Sequence, residues 1–191
     1  MTNKSSPGRA TCSCFIRANS GAGIGLGHVR RCLGLALELE KLGCCVQFLE
    51  PRGSASSDVI KQAGLDVVQC ADSELSICQS ATEADILLID HYDLNITRIA
   101  RCSPRPWKLA VFEDMGTRKI PVDLAINGSP SAYTMNLSGL GARRVLAGPD
   151  YQIIRSDLRS LASTRCKKTT PTECLITHDF KISYRFCSMS V

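Results

Sequence analysis

Asp85-Ile-Leu-Leu-Ile-Asp90 is four aliphatic residues closed at each end by a carboxylate. A run this short and this apolar suits a strand buried on both faces. Shorter or weaker versions recur at Cys12–Ile16, Cys45–Leu49, Asp66–Gln69, Lys108–Phe112 and Val122–Ile126. Between them lie segments of helical spacing: His28–Leu42, Ser57–Ala63, Asp72–Ala81 and Leu94–Cys102. The strongest is His28–Leu42, where Val29, Cys32, Leu33, Ala36, Leu37 and Leu39 form one apolar face and Gly43 supplies the stop. Strands alternating with helices in this way specify an α/β fold, a Rossmann-like parallel sheet with helices on both faces.

The expected organisation is a disordered leader at 1–11, a Rossmann-like domain at 12–162, a polar and basic linker at 163–172 and a separate segment at 173–191. Gln152–Leu161 suits the last helix of the domain. Glu173–Thr177 looks like the first strand of something new, and His178–Val191 shows no clear period. In such a sheet, ligands bind in the loops at the carboxyl ends of the strands. Those loops are Arg17–His28, Glu50–Ser54, Asp90–Asp93, Glu113–Gly116 and Asn127–Ser129.

Composition narrows the function. The chain has 191 residues and a formal net charge of +5, with aromatics at 5%. Most of the positive charge lies beyond Arg159, so the main body is close to neutral. A basic face with interleaved aromatics is absent, which argues against a nucleic-acid partner. No apolar run approaches the roughly 18–20 residues of a spanning helix, so membrane insertion is not expected. Met1–Ala10 has no apolar core of a secretory signal, and a cytoplasmic location is expected. The eleven cysteines show no CxxC and no zinc spacing. Most are read as reduced, buried small hydrophobes, with no bound zinc.

The glycine-rich loop Gly21-Ala-Gly-Ile-Gly-Leu-Gly27 misses the dinucleotide register, because Leu26 and His28 stand where glycine is needed. It also lacks the Gly-Lys-Ser/Thr of a phosphate-binding loop. Its glycines still let backbone approach a ligand, and the helix that follows offers free N–H groups. His28 stands at that helix entrance, where an imidazole suits general acid–base work; the alternative is a histidine that packs or caps. Asp90-His91-Tyr92 offers a carboxylate, an imidazole and a phenol to a polyhydroxylated or acetamido ligand, or else Asp90 caps the next helix. Glu113-Asp114 could orient a catalytic group or cap a turn, and Asn127-Gly128 could be turn chemistry.

Five motifs occur in order: Arg17-x-Asn-Ser, Gly25-Leu-Gly-His28-Val-x-Arg-Cys32-Leu-x-Leu-Ala36, Ile89-Asp-His-Tyr92, Asp123-x-x-Ile-Asn127 and Gly148-x-Asp-Tyr151-x-x-x-Arg155-x-Asp. Together they resemble the UDP-sugar hydrolases of pseudaminic acid biosynthesis, which act on UDP-2,4-diacetamido-2,4,6-trideoxy-β-L-altropyranose. Spore-coat polysaccharide biosynthesis proteins share the pattern, and the family is similar to GT-B glycosyltransferases such as the lipid II-forming MurG enzymes. The resemblance covers about residues 12–160. It implies the N-terminal half of a GT-B fold and hydrolysis at the anomeric carbon with inversion, without metal or cofactor. The implied substrate is a UDP-sugar, and no protein partner is indicated. His28 would activate water. Arg17, Gly25, Gly27, Asp90, Tyr92 and Asn127 would line the substrate side. The alternatives are a GT-B glycosyltransferase or an inactive sugar-binding half-domain.

Three departures stand out. The family usually has Asp at position 19, where this chain has Asn19, and Asp-Asp where it has Glu113-Asp114. After Ile176-Thr177 it continues into Gly-Gly-x-Asp and a second domain that grips the nucleotide, whereas here His178-Asp-Phe180 follows. The expectation is a truncated chain, with 173–191 the remnant of that domain.

Overall fold

The structure is a computed structural model that describes residues 12–21, 23–116, 119–135 and 137–154, together with the backbone of 173–178 and 182–187. The chain divides into two compact units, Met1–Arg155 and Ser156–Val191.

The first unit is built on seven strands: β1 (Cys12–Ala18), β2 (Cys44–Glu50), β3 (Asp66–Gln69), β4 (Ile86–Asp90), β5 (Lys108–Phe112), β6 (Leu124–Asn127) and β7 (Arg144–Ala147). Four helices connect them: α1 (Gly27–Lys41), α2 (Ser56–Gln62), α3 (Glu74–Ser80) and α4 (Ile96–Ala100). The sheet order is β3-β2-β1-β4-β5-β6-β7, with every neighbouring pair parallel. The chain runs outward from β1 to β3, then crosses back and runs outward again from β4. The order reverses between β1 and β4, and the crevice at their carboxyl ends is where such sheets bind ligands. This is the expected Rossmann-like α/β sheet.

Pleating sorts the side chains into two layers. Cys14, Ile16 and Ala18 of β1, Leu88 of β4 and Phe112 of β5 pack with Val29, Cys32, Leu33 and Ala36 of α1 and Ile60 of α2. Phe15, Leu87, Ile89, Leu109 and Val111 pack on the other face with Ile77 of α3 and Ile96 and Ile99 of α4. Helix α1 follows from its sequence: the buried residues recur at three and four, and Gly43 takes φ +87° just beyond its end. Ser73 caps α3 and Asn95 caps α4 through their side chains.

Several expectations need correction. Strand β7 was not anticipated, because only Val145, Leu146 and Ala147 follow its leading arginines. The helix expected from Gln152 does not begin there: Pro149–Tyr151 forms a 3-10 turn and 152–154 is not helical. The rest of that helix, the leader at 1–11 and the linker at 163–172 lie outside the described residues. In the second unit, Glu173–His178 (β8) pairs antiparallel with Ile182–Cys187 (β9). The segment after His178 therefore does have a strand, whose alternation Ile182, Tyr184, Phe186 is of period two.

The cysteines also differ in part. Cys14, Cys32 and Cys70 are buried free thiols, but Cys78 and Cys102 form a disulfide. Packing of α3 beside α4 brings these two together across 24 residues, a proximity that spacing in the sequence does not display. Burial pushes the Cys14 thiol up to about 12. Burial, followed by the charge of Asp90, pushes Cys32 well above the ordinary thiol value. Among the described residues, no group of three or more His, Cys, Asp or Glu could hold a metal ion, and no helix is long and apolar enough to cross a membrane.

Candidate functional site

At the switch point, β1 and β4 end side by side, with Ala18 opposite Asp90 in register. The Asn19 amide N–H donates to the Asp90 carbonyl at 2.7 Å, and the chain then leaves as the glycine-rich loop. That loop closes on itself: the N–H groups of Ile24 and Gly25 donate to the Gly21 carbonyl at 3.2 and 3.1 Å. Gly25 has φ +76°, a conformation costly for any residue with a side chain. Helix α1 then starts with no side-chain cap and no acidic residue in its first turn. Its first N–H groups and the positive end of its dipole are thus left for another partner.

His28 is the second residue of α1. Its Nδ1 lies 2.8 Å from Asp90 Oδ1. Asp90 is buried, and the pleat aims it at α1, the face that carries His28. Arg31, one turn beyond His28, donates to both oxygens of Asp90: Nη2 to Oδ1 at 2.6 Å and Nε to Oδ2 at 2.9 Å. The other edge of its guanidinium forks onto Asp114, with Nη1 to Oδ1 and Nη2 to Oδ2 both at 2.9 Å. The Tyr92 hydroxyl donates to Asp114 Oδ2 at 3.0 Å, and its ring meets His28 edge-on with centroids 4.7 Å apart. Phe112 lies under the Arg31 guanidinium at 4.3 Å.

Two carboxylates and one guanidinium give this network a formal charge of −1, which a protonated His28 would cancel. Burial pushes the Asp90 carboxyl up, but the hydrogen bonds from His28 and Arg31 outweigh it, and the net shift is downward. An ionised Asp90 accepts Nδ1–H, which leaves Nε2 as the basic nitrogen of the ring. No described residue makes a hydrogen bond to Nε2. Burial, then the Asp114 charge and hydrogen bond, raise the Tyr92 phenol to about 12, so it stays a donor at neutral pH.

The expected site residues thus separate into two groups. His28, Asp90 and Tyr92 come together, with Gly25 and Gly27 at the mouth of the same loop. Asp90 does not cap α4, since Asn95 does. Arg17 is on the opposite pleat and 2% exposed. Its guanidinium donates to the Ala18 carbonyl and to Asp72, the latter at 2.8 Å, and pairs with Glu50 at 3.5 Å. Asn127 is 1% exposed: its amide group donates to the Asp114 carbonyl at 3.4 Å and its oxygen accepts from Ser129 N–H at 3.0 Å. Glu113 is the turn cap, accepting from Met115 and Gly116 N–H. Arg31 was not singled out from the sequence. Its spacing of three from His28 on one helix was the available signal.

Asn19 is buried, and its side-chain amide lies 3.4 Å from Asp93 Oδ2. An aspartate at 19 would set two carboxylates there against each other. Beyond Asp114, a cleft of about 320 Å³ runs from Arg31 and Phe112 to Ser129 and Tyr151. Gly128 borders it, pressed so close to the Gln152 backbone that a Cβ would fall 2.7 Å from Gln152 Cα.

No family model matches the chain, and no curated protein matches it. Among solved structures, the chain is similar to the crystal structure of Acinetobacter baumannii MurG, with 14% identity and a TM-score of 0.45. The match covers 60% of this chain and 40% of that one, so the chain spans well under half of that protein. A likeness at this level speaks to neither substrate nor activity.

Proposed function

We propose that the first unit is the water-activating half of a GT-B sugar-nucleotide hydrolase. It would release UDP from UDP-2,4-diacetamido-2,4,6-trideoxy-β-L-altropyranose by inverting attack of water at the anomeric carbon. One observation carries the reading: a histidine at the switch point, oriented by a buried, ionised carboxylate, with Nε2 unpartnered among the described residues. Nε2 takes a proton from water as the oxygen attacks, and Asp90 stabilises the imidazolium that forms. UDP leaves as an anion and needs no acid. The Gly25–Gly27 backbone and the uncapped start of α1 face the sugar side, and Tyr92 offers its ring edge. Arg17 and Asn127 hold the loops behind the site rather than touch the sugar. The resemblance assigns the grip on uridine diphosphate to a second Rossmann-like domain.

The test is UDP release from this sugar nucleotide by the chain alone and by the first unit fused to the carboxyl-terminal domain of a full-length hydrolase. The fusion is expected to release UDP without any acceptor, and the chain alone more than tenfold more slowly, about 1.4 kcal/mol in barrier. A fusion that is silent without a sugar or lipid hydroxyl, and active with one, would make the protein a glycosyltransferase instead. A folded fusion inactive in both assays would end the enzymatic reading.

A further inference from the structure

We infer that Arg31 is a positioning residue for His28: through their shared partner Asp90, it sets how tightly the imidazole holds its proton. The inference concerns the site of the proposed hydrolase and rests on that reading for its bearing on turnover. The geometry is specific. Arg31 Nη2 binds the same Asp90 oxygen that His28 Nδ1 binds, at 2.6 against 2.8 Å. Its Nε occupies the other oxygen at 2.9 Å, and Nη2 itself comes within 3.5 Å of His28 Nδ1. A carboxylate whose lone pairs are filled by a fixed cation attracts a neighbouring proton less. A base that must pick up and then release a proton works best when neither state is too favoured.

Arginine suits this task better than lysine. Its planar fork reaches Asp90 and Asp114 at once, and it keeps its charge. The Phe112 ring beneath it and the helical spacing from His28 fix its position. The other charged and titratable groups around His28 are Asp90, His91 and Tyr92 at the end of β4, Asp114 at the end of β5, and Cys32 of α1, whose thiol donates to Asp90 Oδ2 at 3.5 Å. The glycine-rich loop contributes none.

Nuclear magnetic resonance titration of His28, assigned with H28A, tests this in the chain itself without substrate. In R31Q the midpoint for His28 is expected to rise by about one pH unit or more, the scale of a lost charge contact. R31M, which keeps an apolar stem on Phe112, should behave alike. In D114N the whole fork is left to Asp90, and the midpoint should fall. Placed on D90N, R31Q should move it far less, since the shared carboxylate is gone. A folded R31Q or R31M whose midpoint stays within about 0.2 units of the native one overturns the inference. So does an equal rise on the D90N background, which would mean that the charge acts directly. If neither Arg31 variant folds, a D114N midpoint that fails to fall has the same force. In the active fusion, the acidic limb of kcat/KM should shift with the titration. The titration stands whether or not UDP is released, so failure of either reading is visible separately.

Discussion

Two charged arrays stand at the carboxyl end of the same sheet. In one, Arg17 joins Glu50 and Asp72, and Ser56 donates to Glu50. In the other, on the face packed by α1, Arg31 joins Asp90 and Asp114, with His28 and Tyr92 attached. The residue types are nearly the same, but exposure differs. Arg17 and Glu50 are 2% and 0% exposed, with Asp72 at 50%, whereas Arg31 and Asp114 are 22% and 25% exposed, with Asp90 at 1%. The first array ties the glycine-rich loop to β2, through Ser20 and Ser56 at 2.8 Å. In the second, no described residue bonds His28 Nε2, and Arg31 and Asp114 line a cleft. Exposure of the arginine, rather than residue type, separates the two arrays.

The largest effect should come from breaking the closed array. Arg17→Ala strands the Glu50 carboxylate in the interior, and removing one partner of a buried pair costs about 3–5 kcal/mol. Urea unfolding should show that loss, and a cost below about 1 kcal/mol would place Arg17 among exposed, weakly coupled pairs. Next in size is His28→Ala in the active fusion, expected to lower kcat about a hundredfold or more while leaving UDP affinity and the unfolding midpoint near native. Retained turnover there would remove the distinction between the two arrays. Asp90→Asn follows, at about 2 kcal/mol of stability for hydrogen bonds to a charged group. The Asp90 carboxyl is lowered in the folded chain, so its contribution is complete above the ordinary aspartate value of 3.8 and fades as pH falls below it. The native and D90N unfolding curves should therefore separate at pH 6 and converge in stronger acid.

The sheet was legible because its strands are short apolar runs and its helices keep a three-and-four spacing, as Asp66–Gln69 and Lys108–Phe112 show by forming over the residues expected. Strand β7 was not, since it is short, starts with arginine and pairs with one neighbour, β6. The site was half legible. His28, Asp90 and Tyr92 stand in recognisable motifs, but which of two neighbouring charges enters the cleft depends on pleat direction. Arg17 and Ala18 differ by one position and face opposite layers. Adjacent Glu113 and Asp114 take the two roles that the sequence left open, a turn cap and a partner for Arg31. Arg31 gains its meaning from Asp90 and Asp114, which are 59 and 83 residues away.

The smallest expected effect tests how tightly the open array is held. Tyr92 is 44% exposed, yet its hydroxyl donates to Asp114 Oδ2 at 3.0 Å. Partial burial and the facing carboxylate oppose phenolate formation and push the group to about 12. The proton is held more tightly in the folded chain, so this contribution to stability is present below the ordinary value of 10.0 and disappears as pH rises toward 12. It is therefore constant across neutral pH. Tyr92→Phe removes one solvent-accessible hydrogen bond, worth about 0.5 kcal/mol, and should lower kcat of the fusion only a few-fold. The phenolate band lost in this variant, taken from native-minus-Y92F ultraviolet spectra, should titrate near pH 12. A band titrating at the ordinary tyrosine value would mean that the phenol does not rest on Asp114 in solution. The open array would then end at Arg31, and Tyr92 would touch the site through its ring alone.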